Sequence, residues 1–245
     1  METVLYDDKE HKFILIGFAD SKDETSIPSN QYLITNNGVS ALIDPGGFGL
    51  FPVLVSRVLK YTSIENIKAI ILSHQDPDVS GGLNIWEEIT KANIYISKLW
   101  TRFIPHYEMK AGANIIPVED DGSVIKLSDT FNLQIIPAHF LHSPGHINVY
   151  DPVSRVLCTG DIGASILPCS QNHLFVEDFD AFLPCIGGFH QRYMSSNKAL
   201  RQWIKEIEPL DIQMLAPQHG YLYKGAAIER FIKWLYELKC GVDLL

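Results

Sequence analysis

The chain has no excess of basic residues, no long apolar run, no tandem repeat and few cysteines, and each shortage removes a class of function. Lys and Arg number 20 against 29 Asp and Glu, a formal net charge of −9. Such a surface repels a phosphate backbone instead of releasing its counterions, so no nucleic-acid partner is expected. The first apolar stretch, "FILIGFA", is too short to span a bilayer. It follows "METVLYDDKEHKF", which is acidic where a signal peptide would be basic. No membrane partner is expected, and the cytoplasm is the expected compartment. The cysteines, Cys158, Cys169, Cys185 and Cys240, lack the C-x-x-C spacing of a zinc knuckle or a redox pair. They read as reduced, mostly buried thiols.

Also missing is any low-complexity or Pro/Gly/Ser-rich linker. With 46% hydrophobic and 20% charged residues, the composition is that of a folded globular chain, and residues 1–245 are expected to form a single domain. In "DPGGFG" no G-K-[ST] follows the glycines, so the stretch reads as a tight strand-to-helix turn and not a phosphate loop.

What is present is β-rich in both halves. "QYLITNN" and "VSALID" are strand-like runs joined through Asn37-Gly38, a hairpin signal. Phe51, Leu54, Val55 and Val58 fall at helical spacing, and "NIKAIILS" then reads as a buried strand ending at His74. The second half repeats the vocabulary. "FNLQIIPAHF" reads as a strand, "INVYD" and "RVLCTGD" as a hairpin, and "DIQMLAP" as a short strand before His219. Two amphipathic helices are marked by Leu200, Trp203, Ile204 and Ile207, and by Ile228, Phe231, Ile232, Leu235 and Leu238. Two sheets face to face, each covered outside by helices, give an α/β fold, an αββα four-layer sandwich.

The chemistry lies at strand ends. "SHQDPDVSGG" sets His74, Asp76 and Asp78 at even spacing after an apolar strand. Alone, the stretch reads equally well as an Asp- and Pro-rich turn. His142 in "FLHSPGH", Asp161 in "LCTGD" and His219 in "LAPQHG" each follow another expected strand. Imidazoles and carboxylates gathered from strand ends make a donor set for iron, zinc or manganese.

"SHQDPD", "HSPGHINVY", "CTGD" and "PQHG", with "LIDPGG", stand in the order of the metallo-β-lactamase superfamily, which this chain resembles over nearly its whole length. The superfamily pattern is H-x-H-x-D-H, then His, Asp and His. Asp76 stands where the second histidine would be, and Val79 where the last would be. A carboxylate at the second position resembles the flavodiiron branch, whose motif is H-x-E-x-D and whose metals are two irons. Carboxylate in place of imidazole makes a harder, more anionic site that favours the ferric state.

That resemblance implies His74, Asp76 and His142 around one iron, Asp78 and His219 around the other, and Asp161 between them. Val79, with no donor atom, implies either an open coordination position or a single metal. Flavodiiron proteins carry a flavodoxin domain, and none is expected in this chain, which resembles the stand-alone oxygen-binding di-iron proteins. The implied function is binding of dioxygen as a peroxide-level adduct, for sensing, or for reduction of dioxygen or nitric oxide with an external electron donor. A signalling partner or a homodimer is compatible with it. The alternative is a dinuclear zinc hydrolase of a thioester, lactone or phosphodiester, with Asp78 orienting the nucleophile. A metal-stabilised interaction module is a third reading.

Other residues weigh less. His146, four after His142, reads as a supporting histidine, and His139 as packed. Tyr221 is expected to cover the site more than to reach it. His11, His106, His173 and His190 read as surface or loop histidines, with "GGFHQRYM" able to fold over the site. Asp44 reads as a turn carboxylate.

Overall fold

Alternating apolar residues and turn signals build the two sheets. The structure, a computed structural model, describes residues 2–17, 27–110, 112–166 and 173–245. The first sheet runs in the order β1 (Thr3–Asp7), β2 (His11–Gly17), β3 (Gln31–Asn36), β4 (Val39–Ile43), β5 (Ile67–Ile71), β6 (Asn93–Ser97) and β7 (Ile115–Val118). β1 to β4 pair antiparallel and β4 to β7 pair parallel. The parallel half needs crossovers, which come from α1 (Phe51–Val58) before β5, and from α2 (Pro77–Ser80) and α3 (Leu83–Thr90) before β6. The β3–β4 hairpin turns at Asn37 and Gly38, with φ of 44° and 79°. Positive φ at both residues matches the right-handed twist of the flanking strands.

The second sheet comprises β8 (Ser123–Lys126), β9 (Asn132–Pro137), β10 (Ile147–Asp151), β11 (Val156–Gly160), β12 (Met214–Pro217) and β13 (Tyr223–Lys224). Their spatial order is β13-β12-β11-β10-β9-β8, and only the β11–β12 pair is parallel. α4 (Phe179–Tyr193) and α5 (Asn197–Ile207) make that crossover, and α6 (Ala226–Glu237) follows β13.

Three apolar layers hold this together. Between the sheets, Phe13, Leu15, Ile34 and Ile71 meet Leu133, Ile147, Val149 and Val156. Outside the first sheet, Leu54, Val58, Leu83 and Trp86 pack on Ile14, Ile70 and Ile94. Outside the second, Phe182, Leu200, Trp203 and Phe231 pack on Leu157 and Leu215. The result is an αββα sandwich. No helix among the described residues is long and apolar enough to cross a membrane.

Three expectations need correction. His11 is not a surface histidine. It is buried on β2, and its Nε2 pairs with the buried Asp151 carboxylate of β10 at 2.7 Å, linking the sheets. His190 is buried on α4, a helix whose apolar periodicity is obscured by Pro184, Gly187 and Gly188. Finally, Cys185 is disulfide-bonded while Cys158 and Cys240 are free and buried. Disulfide formation follows distance in space, so the missing C-x-x-C motif did not exclude it. Cys169 lies outside the described residues.

Removing one partner of a buried pair leaves the other polar group uncompensated. Asp151 also accepts from the Ser154 hydroxyl and the Val153 N–H. Asp151→Ala is therefore expected to cost about 3 kcal/mol and to lower the melting temperature of the metal-free protein by roughly 6–12 °C in calorimetry.

Candidate metal centre

The two sheets end together at one edge of the sandwich, and the loops leaving β5, β9, β11 and β12 carry the six candidate residues. The ends are stitched across the interface. Ile147 N–H donates to the Ser73 carbonyl at 2.9 Å, and the Tyr32 hydroxyl donates to the Pro217 carbonyl at 2.6 Å. Backbone carbonyls and amides that a loop would leave exposed are thereby satisfied, and the loops hold fixed positions.

His74 leaves β5 and is buried, with Nδ1 2.9 Å from the Ser73 hydroxyl. Its Nε2 faces Asp76 Oδ2 at 3.7 Å and Asp161 Oδ1 at 3.9 Å. His142 Nε2 is 2.9 Å from Asp76 Oδ2 and 3.6 Å from Asp161 Oδ2. His219 Nε2 is 3.2 Å from Asp78 Oδ2 and 3.6 Å from Asp161 Oδ1, while its Nδ1 donates to the Pro28 carbonyl at 2.9 Å. All six residues thus come together, with the Asp161 carboxylate at the centre and imidazoles from three loops around it. One donor atom from each of His74, His142 and Asp161 lies within 4.8 Å of the others.

The residues fit a pair of cations. Three carboxylates meet three imidazoles, and Asp161 Oδ1 is buried with no hydrogen-bond partner. A buried carboxylate oxygen without a donor is costly, and a cation between it and the imidazoles removes the cost. Protonation states follow the same geometry. Burial, then the neighbouring imidazoles, holds His74 well below the usual histidine range, leaving it neutral as a ligand must be. Burial pushes the Asp161 carboxyl up against the pull of His219 and His142. His219 is pushed down by burial, but its hydrogen bond to Asp78 and the Asp161 charge prevail and hold it at about 9.

Several residues outside the six position them. Asp44, at φ 50°, accepts the Ser73 N–H at 2.7 Å and so anchors the start of the metal loop. Its carboxyl is raised by burial to about 7. Gly163, two residues after Asp161, donates its N–H to His190 Nε2 at 2.9 Å and accepts from the Tyr223 hydroxyl at 2.8 Å. His190 Nδ1 donates to the Ile186 carbonyl, and burial lowers its pKa to about 4, so it is neutral with a fixed tautomer. His142 sits in a strained loop, with φ of 71° at His142 and 65° at Phe140. Phe189 and Tyr193 of α4 lie over its ring at 6.0 and 5.5 Å.

His146 is buried outside the six, its ring edge-on to His74 at 5.3 Å and Nδ1 donating to the Leu141 carbonyl at 2.5 Å. Burial lowers it to about 3. Gly160 makes the room, because a Cβ there would lie 2.1 Å from His146 Nε2. Tyr221 packs edge-on against Phe182 at 5.4 Å, in the helix layer. His139 Nε2 donates to the Asp120 carbonyl. The Asp44 and His190 roles rest on contacts between distant segments, and in the sequence only the "DPGG" turn and the "GGFHQRYM" stretch hint at them.

Residues 27–220 match the family model described as ODP family beta lactamase. Two solved structures of a chemotaxis sensor ODP are 44% identical and cover 99% of this chain. One, described as the peroxy diiron species, has a TM-score of 0.88 over 97% of its own chain. The other, the apo state from T. denticola, has a TM-score of 0.90 over 96%. Coenzyme F420H(2) oxidase of Methanothermobacter marburgensis is 26% identical over 84% of this chain and 53% of its own length. The chain spans 33–62% of the length of the curated relatives it matches.

In the metal-free protein the His219 proton sits between Asp78 and Asp161 and must leave when a cation takes its place. A pKa raised to about 9 stabilises the metal-free fold fully below the unfolded histidine value. That stabilisation is lost as pH rises through about 9. Cation affinity moves oppositely, rising at least about tenfold per pH unit up to that value. Calorimetric titrations in buffers of different ionisation enthalpy should count at least one proton released per protein at pH 7. Release of none would refute the His219 assignment.

Proposed function

The chain belongs to the ODP family beta lactamases, and from that premise we propose that it is a non-haem di-iron protein that binds dioxygen. The observation that carries the reading is Asp161, whose buried carboxylate stands between both groups of donors with one oxygen unpartnered. His74, Asp76 and His142 would hold one iron and Asp78 and His219 the other, with Asp161 shared. Support comes from the 44% identity to a chemotaxis sensor solved as a peroxy diiron species.

When bound, two ferrous ions supply electrons and coordination positions to dioxygen. The protein's own part is to hold the donors and limit water. Burial keeps His74 neutral, the edge of His146 fixes its ring, and the Asp44–Ser73 contact fixes its loop. Phe189 and Tyr193 cover His142. Asp76 adds anionic oxygen where the zinc hydrolases usually have a histidine, which favours iron.

The same reading takes nitric oxide as a second diatomic ligand, an external electron donor or a signalling partner for output, and a homodimer as a compatible assembly. The Methanothermobacter oxidase resemblance supports an external reductant. For compartment we propose the cytoplasm, supported by the free thiols Cys158 and Cys240; the Cys185 disulfide counts against it.

Protein made in cells supplied with both iron and zinc is expected to carry near two irons, and Asp161→Ala to lose both by elemental analysis. Anaerobically reduced protein should gain a visible absorption band on mixing with dioxygen. Stoichiometric zinc without iron would sink the proposal. So would thioester turnover by the zinc form at an ordinary enzyme rate, on the order of ten per second.

A further inference from the structure

Gln218, next to His219, is fully buried, and its backbone is fixed at both ends. Its N–H donates to the Gly160 carbonyl at 2.7 Å and its carbonyl accepts from the Asn30 N–H at 2.5 Å. The strand ends that present Asp161 and His219 therefore also present this side chain. Its Nε2 donates to Asp78 Oδ2 at 3.4 Å, and its Oε1 is buried with no hydrogen-bond partner. A carboxamide oxygen held without a donor costs about 1–3 kcal/mol and calls for a partner.

Val79 leaves the second group of donors short. It is fully buried in the apolar cluster that contains Leu54, Leu83 and Trp86, and it has no donor atom. The second group of donors is then Asp78, His219 and the shared Asp161, one fewer than the first group has. We propose that the carboxamide oxygen of Gln218 completes the second cation's ligand set, at the side of Asp78. The terminal torsion of glutamine turns the amide cheaply. Facing Asp78 alone the group presents its N–H; facing a cation shared with Asp78 it presents its oxygen. A neutral amide oxygen can ligate a borderline cation such as ferrous iron, and binds it less tightly than imidazole does.

This inference rests on the two-cation reading, and the test separates the two. Metal-free protein is titrated anaerobically with cobalt(II), whose visible absorption reports the coordination of each equivalent. The parent should take up two equivalents. Gln218→Leu should keep the first and bind the second about tenfold more weakly or worse. Gln218→Glu should bind the second at least as tightly as the parent, because a carboxylate ligates at the same position. If Gln218 served only as a hydrogen-bond donor to Asp78, Gln218→Glu would instead lose the second equivalent, through like charges without a bridging proton. That result overturns the inference, as does parent-like binding or equal loss of both equivalents in Gln218→Leu. Uptake of a single equivalent by the parent overturns the two-cation reading and this inference with it. Should Gln218→Leu fail to fold, by circular dichroism, the Gln218→Glu arm decides alone.

Discussion

One buried carboxylate, Asp161, organises this end of the molecule. It leaves β11 at the point where Gly160, at φ 53°, turns the chain out of the sheet. Imidazoles from the ends of β5, β9 and β12 surround it at 3.6 to 3.9 Å. Taking a carboxylate out of water is unfavourable unless positive charge or several donors replace the water. The sandwich meets that demand only if the ends of both sheets stay in register. The inter-sheet hydrogen bonds at Ser73 and Pro217 are the means. The site therefore constrains the fold as much as the fold presents the site.

The same logic explains the work of α4. It touches the loops of two donors at once, holding Gly163 through His190 and covering His142 with Phe189 and Tyr193. The Ser195 N–H beyond its C-terminus also donates to the Phe140 carbonyl at 3.1 Å. A change in how His142 and Asp161 are engaged would be felt by one helix, whose last turn carries the exposed Tyr193. Coupling of that kind needs a contiguous packed path, and α4 provides one without any large loop.

The six candidate donors were legible in the sequence because each follows a strand that is itself legible by its apolar run. The hairpin at Asn37-Gly38, the buried strand before His74 and both amphipathic helices were legible for the same reason. Residues whose meaning lies in a contact across the chain were not. His11 has polar neighbours in sequence and a buried partner 140 positions away at Asp151. His190 sits in a helix whose glycines and proline break the apolar pattern. Gln218 carries no signal within "PQHG", because nothing local indicates that its amide reaches Asp78. Periodicity reports which face is buried, and not which polar groups meet there.

Charge balance couples the donors to one another. Without a cation, the carboxylates are compensated by protons: His219 is held protonated at neutral pH, and His142 is raised, with burial opposed by Asp76 and Asp161. His74 cannot share that task, because its burial keeps it neutral. The two groups of donors thus differ before any metal arrives. One begins with an imidazole already free to ligate, and the other must first shed a proton from His219. Cations entering such a site exchange with protons unevenly, because His219 gives up a proton that His74 does not hold. This asymmetry comes from the Asp78 and Asp161 carboxylates, which hold a proton on His219 against burial, while burial and the neighbouring imidazoles keep His74 neutral.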